Sequence, residues 1–126
     1  MPEYDSENYN PSAPVAYVTL RNPATGAVSS NVPMLIDTGS DTTLLPSAVV
    51  EKLGVRAEED IGFEVQVFDG DTRVLKIVKL DLLVLDKTFR GEYLLIDRPI
   101  GILGRNVLKQ LRILLDGPRG KWDEQK

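Results

Sequence analysis

The apolar positions of this chain fall mostly in short runs with the period of a strand. Residues 15–20 are rich in β-branched and aromatic side chains, and the Arg21-Asn22-Pro23-Ala24-Thr25-Gly26 stretch after them is a dense turn signal. The chain then re-enters an extended course through Val28 to the apolar run 32–36, which predicts a hairpin. Phe63, Val65 and Val67 alternate with Glu64 and Gln66 up to Asp69-Gly70, a strong hairpin turn, and 74–80 returns with similar strand character. The pattern predicts a long hairpin over 63–80 with a projecting polar tip at 68–73, and it leaves 55–61 as a connection. Further strands are predicted at 82–85 and 93–96, separated by a charged turn around Asp86-Lys87 and Arg90-Gly91-Glu92, with a last strand at 113–115.

Helical spacing is confined to two places. Pro46-Ser47 opens 48–53, which carries apolar Val49, Val50 and Leu53 and ends at Gly54, so a short helix is expected there. Val107, Leu108 and Leu111 repeat at helical spacing after Ile102-Leu103, which reads as a buried strand end. Residues 1–14 hold three prolines and several Ser, Asn and acidic residues without periodicity, and read as a flexible arm. Residues 117–126 read as a polar tail whose Trp122 stands at the surface or packs between copies.

The run Met34-Leu35-Ile36 carries Asp37 into a Thr38-Gly39 turn. The strand reads as buried on both faces, an expensive place for a carboxylate unless donors, a partner or a chemical role accompany it. Composition sharpens the suspicion, because the chain has no His and no Cys. A Ser-His-Asp triad, a Cys nucleophile and a zinc site of His or Cys are excluded, which leaves carboxylates, Lys and Tyr for acid-base work. At 126 residues one domain is expected, and the net charge of -4 argues against nucleic acid as a partner. No apolar stretch approaches the ~20 residues of a membrane span, and the first residues lack the features of a secretory signal, so the expectation is a cytoplasmic protein with no membrane partner.

Asp37-Thr38-Gly39-Ser40 after an apolar strand, with Ile102-Leu103-Gly104-Arg105-Asn106 leading into a short helix, resembles the retropepsin-like aspartic proteases, which include retroviral, cellular and bacterial members. The likeness spans 15–116. It implies a mostly β fold, a closed antiparallel acid-protease β-barrel with one or two short helices, active as a C2 homodimer in which each subunit gives one Asp. By position it implies that Asp37 is the catalytic carboxylate, that Thr38 hydrogen-bonds across the dimer axis, and that Gly39 lets the substrate backbone lie close. Ser40, Asp41, Phe68, Asp69, Gly70 and Ile102 fall at substrate-binding positions, with the 68–73 tip as a flap closing over bound peptide. Gly104 and Arg105 fall at supporting positions, and an Asp41–Arg105 ion pair is expected. Ser40 stands where many retroviral members carry Ala; Ser is usual in the two-domain pepsins and can add a hydrogen bond to the Asp37 carboxylate. The helix after the active-site turn and the C-terminal extension look closer to cellular or bacterial relatives than to viral ones.

Such chemistry needs two carboxylates that share a proton, and Asp-Thr-Gly occurs once, so a second copy must supply the other. The expectation is therefore a homodimeric aspartic endopeptidase acting on peptide or protein substrates, without cofactor or metal, strongest at acidic to mildly acidic pH, with largely apolar subsites. The competing reading is a catalytically silent dimeric peptide-binding module of the same fold. Intact Asp37, Thr38 and Gly39 favour the enzyme, since a binding module has no use for a buried acid pair. A carboxylate-only metal site at Asp37 and Asp41 is weaker, because it needs about six oxygen ligands and the flanking Ile36, Leu44 and Leu45 supply none.

Overall fold

The computed structural model describes residues 2–66 and 72–126, with the backbone alone at 58–66 and 72–75. The elements in chain order are β1 (Tyr4–Asp5), β2 (Ala13–Arg21), β3 (Val28–Ile36), β4 (Leu44–Pro46), α1 (Ser47–Lys52), β5 (Glu58–Gln66), β6 (Thr72–Val84), β7 (Lys87–Ile96), β8 (Gly101–Leu103), α2 (Arg105–Leu108), β9 (Ile113–Asp116) and β10 (Lys121–Glu124). Strands β2, β3, β8, β4, β7 and β6 follow one another around a ring, which closes where Thr19, Leu20 and Arg21 pair with Leu83, Leu82 and Asp81. The fold is thus a mostly β closed barrel with two short helices. It departs from a purely antiparallel barrel in two places: β8 runs parallel to β3, and β4 runs parallel to β7.

Alternation builds the barrel interior. Along β3 the side chains of Val32, Met34 and Ile36 are buried while Pro33 and Leu35 are half-buried, and β2 contributes Val15, Ala16, Val18 and Leu20 to the interior. Leu80, Leu82, Leu45, Leu103 and Val107 complete the same cluster. Helix α1 buries Val50 and ends at Gly54, whose φ of 72° and N–H bond to the Glu51 carbonyl are the expected left-handed helix stop. The 22–27 turn is tied to that end of the helix, since the buried Asn22 side chain donates to the Leu53 carbonyl at 3.0 Å.

Several sequence expectations are corrected. The region around Arg90-Gly91-Glu92 is strand: these residues pair with Asp81, Leu80 and Lys79, so 72–96 forms one long hairpin whose turn is Leu85-Asp86, both with positive φ. The predicted split at Asp81 does not occur either, because β6 runs unbroken from Thr72 to Val84. Residues 58–61, read as a connection, belong to β5, which pairs with β6 through an irregular register.

The segment read as a flexible arm is tied down. Tyr4 and Asp5 pair with Pro14 and Ala13, the Tyr4 N–H donates to the Gly120 carbonyl at 2.7 Å, and the Trp122 N–H donates to the Pro2 carbonyl at 3.0 Å. Trp122 is likewise no surface residue. It is 3% exposed, belongs to the main core, and its indole N–H donates to the Val15 carbonyl at 3.1 Å. The two chain ends therefore fasten each other to β2.

Closure of the ring carries a charge. Asp81 has a fully buried side chain, and it accepts from Arg21 on β2 (2.9 and 3.1 Å) and from Arg90 on β7 (2.8 and 3.1 Å). The hydrogen bonds from Arg90, and then those from Arg21, outweigh burial and hold its pKa down at about 2, against an ordinary value of 3.8. A depressed folded-state pKa adds stability above the ordinary value and loses it as pH falls towards the folded one. Unfolding free energy should accordingly drop between about pH 4 and pH 2, where the Asp81 carboxylate gains its proton. Asp81→Asn should lower stability at neutral pH by about 2–4 kcal/mol and flatten that acid limb, as read by denaturant unfolding at several pH values.

Candidate active site

Three segments build the site, and the one made by β8 and the start of α2 comes from far along the chain. β3 carries Ile36 to the barrel end, where the Asp37 N–H donates to the Leu103 carbonyl of β8 at 3.1 Å. The chain then folds back on itself. The Ser40 N–H donates to the Asp37 carbonyl at 3.2 Å, and the Gly39 N–H donates to the Asp37 carboxylate oxygen Oδ1 at 2.9 Å. A Cβ on Gly39 would lie 3.1 Å from that same oxygen, so glycine here keeps the carboxylate uncrowded. Asp37 is half-buried, with one carboxylate oxygen held by the turn.

The second segment clamps the first. Arg105, at the start of α2, donates its backbone N–H to the Ser40 carbonyl at 2.8 Å and its guanidinium Nη1 to the Thr38 carbonyl at 2.6 Å. The third segment, 42–44, lies beneath. The buried Thr43 hydroxyl donates to the Asn106 side-chain oxygen at 2.7 Å and accepts the Gly104 N–H at 3.0 Å. Gly104 allows this contact, since a Cβ there would collide with the Thr42 carbonyl. Gly101 permits a similar approach: its added Cβ would lie 2.5 Å from both the Leu44 carbonyl and the Met34 sulfur. Two glycines thus let β8 slide between β3 and β4.

The sequence-derived candidates separate accordingly. Asp37, Thr38, Gly39, Ser40, Gly104 and Arg105 meet in one constellation. Arg105 does not pair with Asp41, as had been expected; it reaches the Thr38 carbonyl instead, and Asp41 is exposed without an ion-pair partner among the described residues. Ser40 does not bond the Asp37 carboxylate, because its hydroxyl donates to the Thr42 carbonyl at 2.7 Å and stiffens the turn. Ile102 is half-buried against Leu44, Ile77 and Leu94. Phe68, Asp69 and Gly70 lie outside the described residues. Sequence reading assigned no role to Thr43 or Asn106, although a polar residue between Thr42 and the buried Leu44-Leu45 pair was a visible signal of a buried hydrogen bond. Thr38 is exposed, and its hydroxyl makes no hydrogen bond within the chain among the described residues.

This arrangement fixes a carboxylate by one backbone donor at the end of a buried strand and leaves its other oxygen open. Residues 24–107, two-thirds of the chain, match the family described as aspartyl protease. The chain belongs to the aspartyl protease family. A solved structure of the EIAV protease, complexed with an inhibitor, superimposes with a TM-score of 0.61 at 23% identity, covering 85% of this chain and 91% of that one. The fold of this aspartyl protease domain is therefore that of a retroviral protease. No curated protein matches the sequence. Among the described residues no three His, Cys, Asp or Glu side chains converge on a metal-sized site.

Thr43→Val, nearly isosteric, should strip a partner from the buried Gly104 N–H and lower stability by about 1–3 kcal/mol, read as a shifted denaturation midpoint. Gly104→Ala should cost at least as much, because its methyl group meets backbone that has no room to yield.

Proposed function

We propose that this aspartyl protease is a homodimeric endopeptidase in which Asp37 from each of two subunits forms the catalytic dyad. The observation that carries the reading is Asp37 itself: it is half-buried in the Asp-Thr-Gly turn, clamped from β8 and α2, with an open carboxylate oxygen. The unspent Thr38 hydroxyl next to it is suited to a bond across a two-fold axis. A surface fit for a second copy is also present, since Leu114 and Leu115 are 47% and 45% exposed on β9, whose outer edge pairs with no strand among the described residues.

The reaction follows from one proton shared between two carboxylates. The ionised Asp37 takes a proton from water as the water oxygen attacks the peptide carbonyl carbon, and the protonated Asp37 donates to the carbonyl oxygen. Collapse of the tetrahedral intermediate breaks the C–N bond, with a proton passing to the leaving nitrogen. Each carboxylate thus ends the cycle ready to exchange roles. The 68–73 tip is assigned to a flap that closes over the peptide, Gly39 to close passage of its backbone, and Ser40, Asp41 and Ile102 to the walls of the cleft.

The test is cleavage of a mixed peptide library by wild type and Asp37→Asn from about pH 3 to 8, read by mass spectrometry. Wild type should cut best on the acidic side, where the dyad holds one proton, and Asp37→Asn should lose at least about 10²–10⁴-fold. A rate that keeps rising above neutrality would contradict the shared-proton mechanism. Folded dimers of both proteins that cut nothing would favour a silent peptide-binding module.

A further inference from the structure

The loop between β1 and β2 belongs to the same end of the barrel as Asp37. Asp5 pairs with Ala13, and Val15 pairs with Leu35. Continuing the second register by two residues sets Ala13 opposite Asp37, so Asp5, Ala13 and Asp37 lie in one row across the sheet. Residues 6–12 leave from that row and return to it beside the catalytic turn. The loop is also braced: Asp5 Oδ1 accepts the N–H groups of Glu7 and Asn8 at 2.8 and 2.9 Å, and its Oδ2 accepts the Asn8 side-chain amide at 2.8 Å.

Within residues 6–12 every position is exposed except Tyr9. A half-buried aromatic ring in an otherwise exposed loop is leaning on the protein, and the charges that act on its phenol are those of Asp5, Arg98 and Asp37. Its hydroxyl makes no hydrogen bond within the chain among the described residues. Burial first, then the negative charge of Asp5, pushes its pKa above the ordinary value, so the group stays protonated and able to donate wherever a carboxylate dyad works.

We propose that Tyr9 is a substrate-contact residue, its phenol donating a hydrogen bond to a carbonyl oxygen of the peptide held at Asp37 while its ring closes that end of the cleft. The proposal rests on the protease reading and adds to it a binding residue from a segment whose sequence has no pattern. Braced by the Asp5 turn, the loop presents the phenol with little ordering left to be done when a peptide arrives.

The test uses the full chain with its four tyrosines labelled at the ring carbon bearing the hydroxyl, and a hydroxyethylene-containing apolar peptide as probe. Binding should move the Tyr9 resonance and leave that of Tyr93, buried inside the barrel, in place. Tyr9→Phe, which keeps the ring, should bind the probe about 3–10-fold more weakly and raise KM with kcat little changed. A purely structural ring would be unaffected by that substitution. The proposal is overturned if the probe binds wild type with the Tyr9 resonance unmoved, or if Tyr9→Phe binds as tightly as wild type. A wild-type chain that neither binds the probe nor cuts peptides would instead bring down the protease reading, and this proposal with it.

Discussion

Everything at the candidate site depends on the parallel insertion of β8 between β3 and β4. Parallel neighbours cannot be joined by a tight turn, so Ile36 and Leu103 meet only after most of the barrel has been threaded between them. The Asp37 N–H to Leu103 carbonyl bond is the last rung of that pairing, and the carboxylate is aimed by it. Gly101 and Gly104 make the insertion sterically possible, while Thr43 satisfies the Gly104 N–H that would otherwise be stranded in the interior. The clamp by Arg105 follows directly, because α2 begins where β8 ends.

A rigid turn holding a single acid is chemically half a device. The proposed function takes the second carboxylate from a two-fold neighbour, since Asp-Thr-Gly occurs once in the chain. The remainder of the fold supports this economy. Asp81 and its two arginines close the ring on the side formed by β2, β6 and β7, and the chain ends fasten each other through Trp122 and the Tyr4 N–H. Those ties leave Leu114 and Leu115 outside.

What was legible in the sequence was local. The turn at Asp37-Thr38-Gly39, the Gly54 helix stop and the strand runs around Val15, Val32 and Ile102 each announce themselves within a few residues, and each takes the expected conformation. What was not legible depends on partners far along the chain. Arg90-Gly91-Glu92 has the composition of a turn, yet it becomes strand because Arg90 answers the buried charge of Asp81 and Gly91 pairs with Leu80. Pro2, Tyr4 and Trp122 are fixed by partners far along the chain: the Trp122 N–H donates to the Pro2 carbonyl, the Tyr4 N–H to the Gly120 carbonyl, and the Trp122 indole to the Val15 carbonyl. The expected Asp41–Arg105 pair came from resemblance, but here the guanidinium finds the Thr38 backbone carbonyl of the Asp37 turn.

The proposed pairing of two copies of Asp37 in one site is most directly examined by the dependence of activity on enzyme concentration. Specific activity should fall on dilution through the range in which sedimentation shows dimer dissociating to monomer, and folded Asp37→Asn subunits added in excess should suppress the remainder by forming mixed dimers. Specific activity that stays constant in solutions shown to be monomeric, or that ignores the added Asp37→Asn chain under conditions of subunit exchange, would contradict the shared dyad.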